Sequence, residues 1–413
     1  MERLRASLVA RVRVVVHLVR WIVLGSASGA LAGLASWVFL ESLDHITRTR
    51  LDHGWIIWFL PLAALVVGFV YHRWGGRSAG GNALLLEEIH TPTAWVPRRM
   101  APLVLGGTLV AHLFGASVGR EGTALQMSGS LTDLLARTLR LSPADRRLLL
   151  IAALAGGFGS VFGVPLAGAV FALEVQAIGR VRYEALVPAL AASIVGDLVV
   201  SGLGYEHPLR PALDLPVDGV LLAKVAAAGL AFGLASTLFT ALAHAIKELV
   251  TRVAWPPLRP AAGGLATLAL VALVGRDYLG LSLPIIDATL AGRSPETWAF
   301  ALKLVFTAIA LGCGIPGGEV TPLFVIGAAL GGTLAAPLGL PVATLGSIGF
   351  VAVFAGAANT PLACTIMGAE LFGSGSVVAM AVGCVVAYVF SSHQGIYATQ
   401  LIDTPKAGGG PSR

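Results

Sequence analysis

Long apolar stretches separated by short charged clusters dominate the chain. They cover 21–40, 55–71, 101–117, 147–175, 184–204, 220–247, 262–275, 299–313, 322–339, 343–358 and 362–390. Their apolar residues run continuously instead of alternating. That predicts helices and argues against a membrane β-barrel, which alternates about every second residue. A straight crossing needs about 20 residues. Several of these stretches are shorter, and two are too long for one span. Glycine (51 residues) and proline (22) interrupt many of them. Non-helical backbone at membrane depth is tolerated only where protein buries it or it lines a cavity. Short, broken, glycine-interrupted spans therefore predict a transporter or channel with its site near the midplane.

Composition sharpens this picture. Of 413 residues, 56% are hydrophobic and 12% charged, against about 25% charged in a soluble domain. Mean hydropathy is +0.82. Such a chain cannot cover a water-facing surface of its size, so a soluble enzyme, a nucleic-acid binder and a disordered protein are excluded. The expected class is all-α and polytopic, with the lipid bilayer as its environment. The net charge of +6 reflects basic residues between apolar runs, a positive-inside pattern, and no nucleic-acid partner is expected. Cys313, Cys364 and Cys384 lie in apolar segments without metal-ligand or disulfide spacing and read as small buried residues. No metal or cofactor is expected.

Five arginines (Arg3, Arg5, Arg11, Arg13, Arg20) lead into the first apolar stretch without a cleavage site. Residues 1–20 read as a basic amphipathic helix on the cytoplasmic face, or as a charged lead-in. Clusters at 137–147 and 180–184 read as cytoplasmic loops. The segment 205–219, with Tyr205, His207, Pro208, Pro211 and Pro216, reads as a linker between two membrane halves, 21–204 and 220–400. Residues 401–413 read as a disordered tail.

An internal repeat supports the two halves. Gly119-Arg120-Glu121-Gly122-Thr123-Ala124-Leu125 aligns with Gly317-Gly318-Glu319-Val320-Thr321-Pro322-Leu323, and Gly129 then falls on Gly327. Pro165-Leu166-Ala167 matches Pro361-Leu362-Ala363, and a glutamate follows each proline nine residues later, Glu174 and Glu370. Glu121 precedes Pro165 by 44 residues and Glu319 precedes Pro361 by 42.

Four places carry candidate chemistry. Around Glu121 an apolar segment ends in glycines and a helix begins, so free N–H groups and the positive dipole end suit an anion. A carboxylate there occupies the anion's place and takes a proton as well, which makes it a natural coupling element. The alternative is a helix cap or a pair with Arg120, and adjacent helix residues do not face each other. Gly115-x-Ser117-x-Gly119 matches the hydrolase elbow pattern but lacks its strand–turn–helix context. Asn82, after Gly80-Gly81, is either an N-cap or an amide donor to an anion; Glu87, Glu88 and His90 read as a solvated helix end. Glu319 and Thr321 open a second half-helix. Tyr397 offers a phenol donor or an interfacial anchor.

Gly119-Arg120-Glu121-Gly122, the Pro-Leu-Ala-Gly run at 165–168 and the glycine-rich second half resemble the CLC chloride channel and transporter family over roughly 20–400. Thr123 replaces the usual proline, Asn82 the usual serine, and Gly317 to Pro322 the usual Gly-x-Phe-x-Pro segment. Together these resemble the CLC-F branch of bacterial fluoride/proton antiporters. The resemblance implies an inverted-topology repeat of tilted, broken helices and a homodimer with one pore per subunit. It implies a gate at Glu121, anion contacts from Asn82 and Tyr397, and fluoride or proton handling by Glu319 and Thr321. The amides of Gly119, Arg120, Gly122, Gly318 and Val320 complete the expected anion site, and Ala83 stands where this branch often has a larger residue. The inner proton-transfer glutamate of many chloride exchangers is Val175 here, as it is absent in the fluoride branch. The expectation is a cytoplasmic-membrane exporter of fluoride driven by protons, and not an enzyme. The rivals are a CLC channel or exchanger for chloride or other anions and, distantly, an intramembrane serine hydrolase using Ser117.

Overall fold

The computed structural model describes residues 2–208, 210–213 and 217–406, with side chains from residue 11 onward. Helices account for nearly all of it. The first half comprises α1 (Glu2–Asp52), α2 (Leu60–Val70), α3 (Gly81–His90), α4 (Met100–Leu113), α5 (Glu121–Thr138), α6 (Pro143–Phe162), α7 (Pro165–Glu174) and α8 (Leu186–Gly202). The second half comprises α9 (Gly219–Thr251), α10 (Leu258–Val274), α11 (Leu283–Leu290), α12 (Ala299–Gly312), α13 (Val320–Leu338), α14 (Val342–Ala358), α15 (Pro361–Phe372) and α16 (Val377–Val389). Five helical segments are long and apolar enough to cross a bilayer, and the other apolar helices run 10–17 residues. The stretch 147–175 breaks where Gly163 turns left-handed (φ 71°) ahead of Pro165. The stretch 362–390 breaks at Gly373 (φ 89°).

The halves repeat each other's packing. α1 lies on α8 as α9 lies on α16, and α5 on α6 as α13 on α14; α2 meets α10 and α7 meets α15 across the join. A further repeat, missed in the sequence reading, supports the first pairing. Gly33-Leu34-Ala35-Ser36 recurs as Gly233-Leu234-Ala235-Ser236. A Cβ at Gly33 would stand 2.5 Å from the Gly196 carbonyl, and one at Gly233 would stand 2.7 Å from that of Ala387. Close helix approach in lipid relies on such small residues. Gly33→Leu is accordingly expected to cost about 3 kcal/mol or more through overpacking. Thermal unfolding of detergent-purified protein reads this, and a wild-type transition would contradict the close packing.

Large apolar side chains such as Leu234, Leu265 and Leu273 are exposed on the outer helix faces. A continuous buried core, rich in stacked phenylalanines (Phe158 on Phe171, Phe324 on Phe350), fills the space between the halves. This is a multi-pass membrane protein. One end of the molecule is basic: Arg20 pairs with Asp145 at 2.6 Å, and Arg146 reaches Asp133 at 2.5 Å and Glu88 at 3.1 Å.

Some expectations are corrected. Residues 2–20 form no separate element, because α1 runs unbroken from Glu2 to Asp52; residues 11–20 are exposed throughout. Glu88 is not on a solvated helix end. It is buried and accepts hydrogen bonds from Arg77, Thr93, Ala94 and Arg146, since a carboxylate inside the protein must be paired. Residues 401–406 are not a loose tail: β2 (Leu401–Ile402) pairs in parallel with β1 (Ala177–Ile178). Beyond them the Lys406 ammonium contacts Ser391 Oγ at 2.7 Å and the Tyr388 ring at 4.5 Å, and burial pulls its pKa down to about 7. Pro216 of the linker and the tail beyond Lys406 lie outside the described residues. The three cysteines are buried and free.

Candidate functional site: two facing half-helices

The chain leaves α4 at Leu113 and α12 at Gly312, runs non-helically inward, and re-enters helix at Glu121 and Val320. The two re-entries touch. Gly119 N–H donates to Gly318 O at 2.6 Å, and Gly318 N–H to Gly119 O at 2.8 Å. Two helix N-termini from opposite halves thus converge on one spot deep in the protein. Side chains are excluded at the contact, because a Cβ at Gly318 would fall 2.7 Å from Gly122 N. Helix starts leave N–H groups without intrahelical partners, and their dipoles favour negative charge.

Glu121 fills that place. It is fully buried. Its Oε2 accepts from the N–H of Arg120 at 3.1 Å and from the N–H of Thr321 at 3.1 Å. Its Oε1 accepts from the Thr321 hydroxyl. The Arg120 side chain contributes only a loose contact, Nε to Oε1 at 3.9 Å. The carboxylate of one half is therefore held by the helix start of the other, as a free anion would be. Thr123, in the same first turn, bonds Thr108 at 2.7 Å and ties α5 to α4.

Two corrections follow. The N–H groups of Gly119 and Gly318 are spent on each other, so these glycines frame the site and do not donate to an anion. And Glu319 is not the structural counterpart of Glu121: α5 begins at Glu121 while α13 begins at Val320, with Glu319 at its N-cap. The match at Glu121 and Glu319 is one residue out of register with the backbone, because the bridge aligns Gly119 with Gly318. Glu319 lines a cavity of about 680 Å³.

Asn82 and Tyr397 line the same cavity. Asn82 is the second residue of α3 and its side chain caps nothing. Its Oδ1 is buried without a partner, and its Nδ2 would stand 3.1 Å from a Cβ at Gly122. The capping alternative therefore falls. Tyr397 is buried against Phe171, ring centroids 6.1 Å apart, with its hydroxyl unpartnered, which is not the setting of an interfacial anchor. Buried polar atoms normally have partners; the Tyr397 hydroxyl can donate to an absent acceptor, whereas the Asn82 oxygen can only accept, leaving its Nδ2 as the donor end. Gln126, Thr240, His244, Lys247 and Arg259 line the cavity as well and were not singled out from the sequence. Thr240, His244 and Lys247 stand at i, i+4 and i+7 of an otherwise apolar helix, and that stripe was the available signal.

Ser117 does not face a histidine. Its hydroxyl takes a hydrogen bond from Lys303 Nζ at 2.9 Å and pairs with Thr307 at 2.9 Å. Lys303 is wholly buried and also contacts Tyr278 O, Gly280 O and Ser282 Oγ, pinning the loop before α11 behind the segment that leads to Glu121. Glu174 and Glu370 are caps exchanged between the halves. Glu174 accepts from Leu362 N (3.1 Å) and Ala363 N (2.8 Å); Glu370 accepts from Leu166 N (2.9 Å) and Ala167 N (2.7 Å). Val175 ends α7, fully buried, with its carbonyl taken by Gln400.

The comparisons with known proteins agree with this geometry. The family model described as voltage gated chloride channel matches residues 63–392. The "Chloride/fluoride channel protein" of Pseudomonas syringae pv. tomato is 47% identical over 94% of this chain and 88% of its own length. The crystal structure of a CLC-type fluoride/proton antiporter superposes with a TM-score of 0.90 at 32% identity, over 93% of this chain and 98% of that one. A slow cyanobacterial chloride/proton antiporter shares the fold, with a TM-score of 0.79 at 17% identity over 90% of this chain and 94% of that one. With a buried glutamate seated between two half-helices and this family match over most of its length, the chain belongs to the voltage-gated chloride channel (CLC) family.

Proposed function

We propose that this protein exports fluoride from the cytoplasm in exchange for protons, across the cytoplasmic membrane and as a homodimer. The observation that carries this is the Glu121 carboxylate, held by the N–H groups of Arg120 and Thr321 and by the Thr321 hydroxyl in an anion's place. Protonation removes the charge that these donors stabilise. The neutral carboxyl is released, and the vacated donors accept an anion, so binding of anion and proton are linked through one site. In this reading the end at residues 137–147 faces the cytoplasm by the positive-inside rule, and fluoride enters through the cavity lined by Asn82, Tyr397 and Glu319. Fluoride is small and strongly hydrated, and amide and phenol donors replace its shell. The fluoride and proton named for the matched relatives support this reading.

The test is efflux of fluoride and of chloride from liposomes holding the purified protein, with external pH recorded. Fluoride efflux accompanied by proton uptake is expected. Rapid chloride efflux without proton movement would favour an uncoupled chloride channel instead. Within the same assay, Asn82→Ser shifts the fluoride/chloride ratio toward chloride by roughly tenfold, the value of one hydrogen bond to a charged group. An unchanged ratio would remove Asn82 from the anion site.

A further inference from the structure

We infer that Gln126 is an additional fluoride contact, one helical turn nearer the cytoplasm than Asn82, where the ion first exchanges water for a protein amide. This rests on the fluoride reading above. Gly122 and Gln126 stand four residues apart on one face of α5, about 6 Å along its axis. That face packs against the start of α3: Asn82 Nδ2 lies beside Gly122, and Gln126 Nε2 lies 3.5 Å from where a Cβ of Gly81 would stand. Gly81 has a φ of 56°, a backbone conformation that favours glycine. Asn82 thus sits between two turns of α5, with Gln126 below it.

Gln126 is 8% exposed, and what remains accessible opens onto the 680 Å³ cavity. Among the described residues no side-chain hydrogen bond to protein occupies its amide. The amide lines the cavity, where a ligand can serve as its partner. The wall chemistry decides the partner's sign. Lys247 and Arg259 line the cavity with His72 and His244, and Glu319 is its one acidic residue. Arg259 is locked onto the carbonyls of Thr251 and Val253, so its charge is fixed in place. An anion drawn in by these groups meets Gln126 first, then Asn82, then the helix starts at Glu121. Glutamine supplies a neutral donor, which replaces water without trapping the ion as a charge would.

The test compares wild type with Gln126→Met and Gln126→Glu in liposomes. Gln126→Met keeps length and apolar packing but removes the donor. It is expected to raise the fluoride concentration for half-maximal transport about tenfold, to lower the fluoride/chloride ratio by a similar factor, and to leave protons moved per fluoride unchanged, because Glu121 is untouched. Gln126→Glu is nearly isosteric, so folding is preserved should methionine fail. It is expected to lose fluoride flux at neutral pH and recover it as the carboxyl is protonated in acid. Wild-type fluoride dependence and selectivity in Gln126→Met, or a pH-independent Gln126→Glu at wild-type rate, overturns the assignment. A wild-type protein that moves no fluoride overturns the function reading instead, so the two failures are separable.

Discussion

Glu121→Gln is expected to reduce proton uptake coupled to fluoride efflux to the liposome leak, the largest effect of any single substitution here. Glutamine matches glutamate in shape, so the fold is retained. Its amide oxygen still accepts from one N–H, but its NH₂ end faces a donor that the carboxylate satisfied. More decisively, it neither binds nor releases a proton. Movement of the side chain off the Arg120 and Thr321 donors can then no longer be tied to protonation. The readout is external pH against fluoride efflux, with monodispersity of the purified variant as the folding control. Normal proton uptake in this variant would sink the mechanism.

Glu319→Gln is expected to slow exchange about a hundredfold, the usual weight of one positioned proton-transfer group, while Glu174→Gln keeps coupled proton movement. The two carboxylates differ in what holds them. Glu174 is committed to two N–H groups at the start of α15, and its partner-in-exchange Glu370 does the same for α7. Substituting Glu174 weakens a cap, a loss of about 1 kcal/mol, and exposes no proton path, because the next position is the apolar, buried Val175. Glu319 has no side-chain hydrogen bond among the described residues and lines the cavity, where a carboxyl can exchange protons with water. Flux and pH are measured for both variants. Loss of coupling in Glu174→Gln with normal exchange in Glu319→Gln would reverse the assignment and put the proton route on α7.

Much of the architecture was legible because its causes are local. A bilayer demands a set length of apolar residues, so the spans were countable. Two stretches were too long for one span, so a division was expected in each; the breaks fall at Gly163 with Pro165 and at Gly373. The glycine-flanked Glu121 announced a helix start, and free N–H groups at a helix start suit an anion in any fold. Even the inverted repeat left its trace in Pro165 and Pro361 and in the glutamates after them.

What only the tertiary structure decided lies between residues far apart in the chain. The sequence placed Glu174 and Glu370 as mates but could not tell that each caps the other's helix, since that requires the two-fold relation of the halves in space. It aligned Glu121 with Glu319, yet the bridge between Gly119 and Gly318 shifts the true correspondence by one residue, and the second carboxylate lines the cavity. Glu88 looked like a solvated charge until Arg146, from α6, folded onto it. Lys303 stands alone in an apolar helix and Gln126 among the small polar residues of α5, and nothing local says what they face. Hydrophobic periodicity records which residues avoid water. Which buried polar groups meet depends on how helices from two halves cross, and that is settled by packing and by the need of every buried donor and acceptor for a partner.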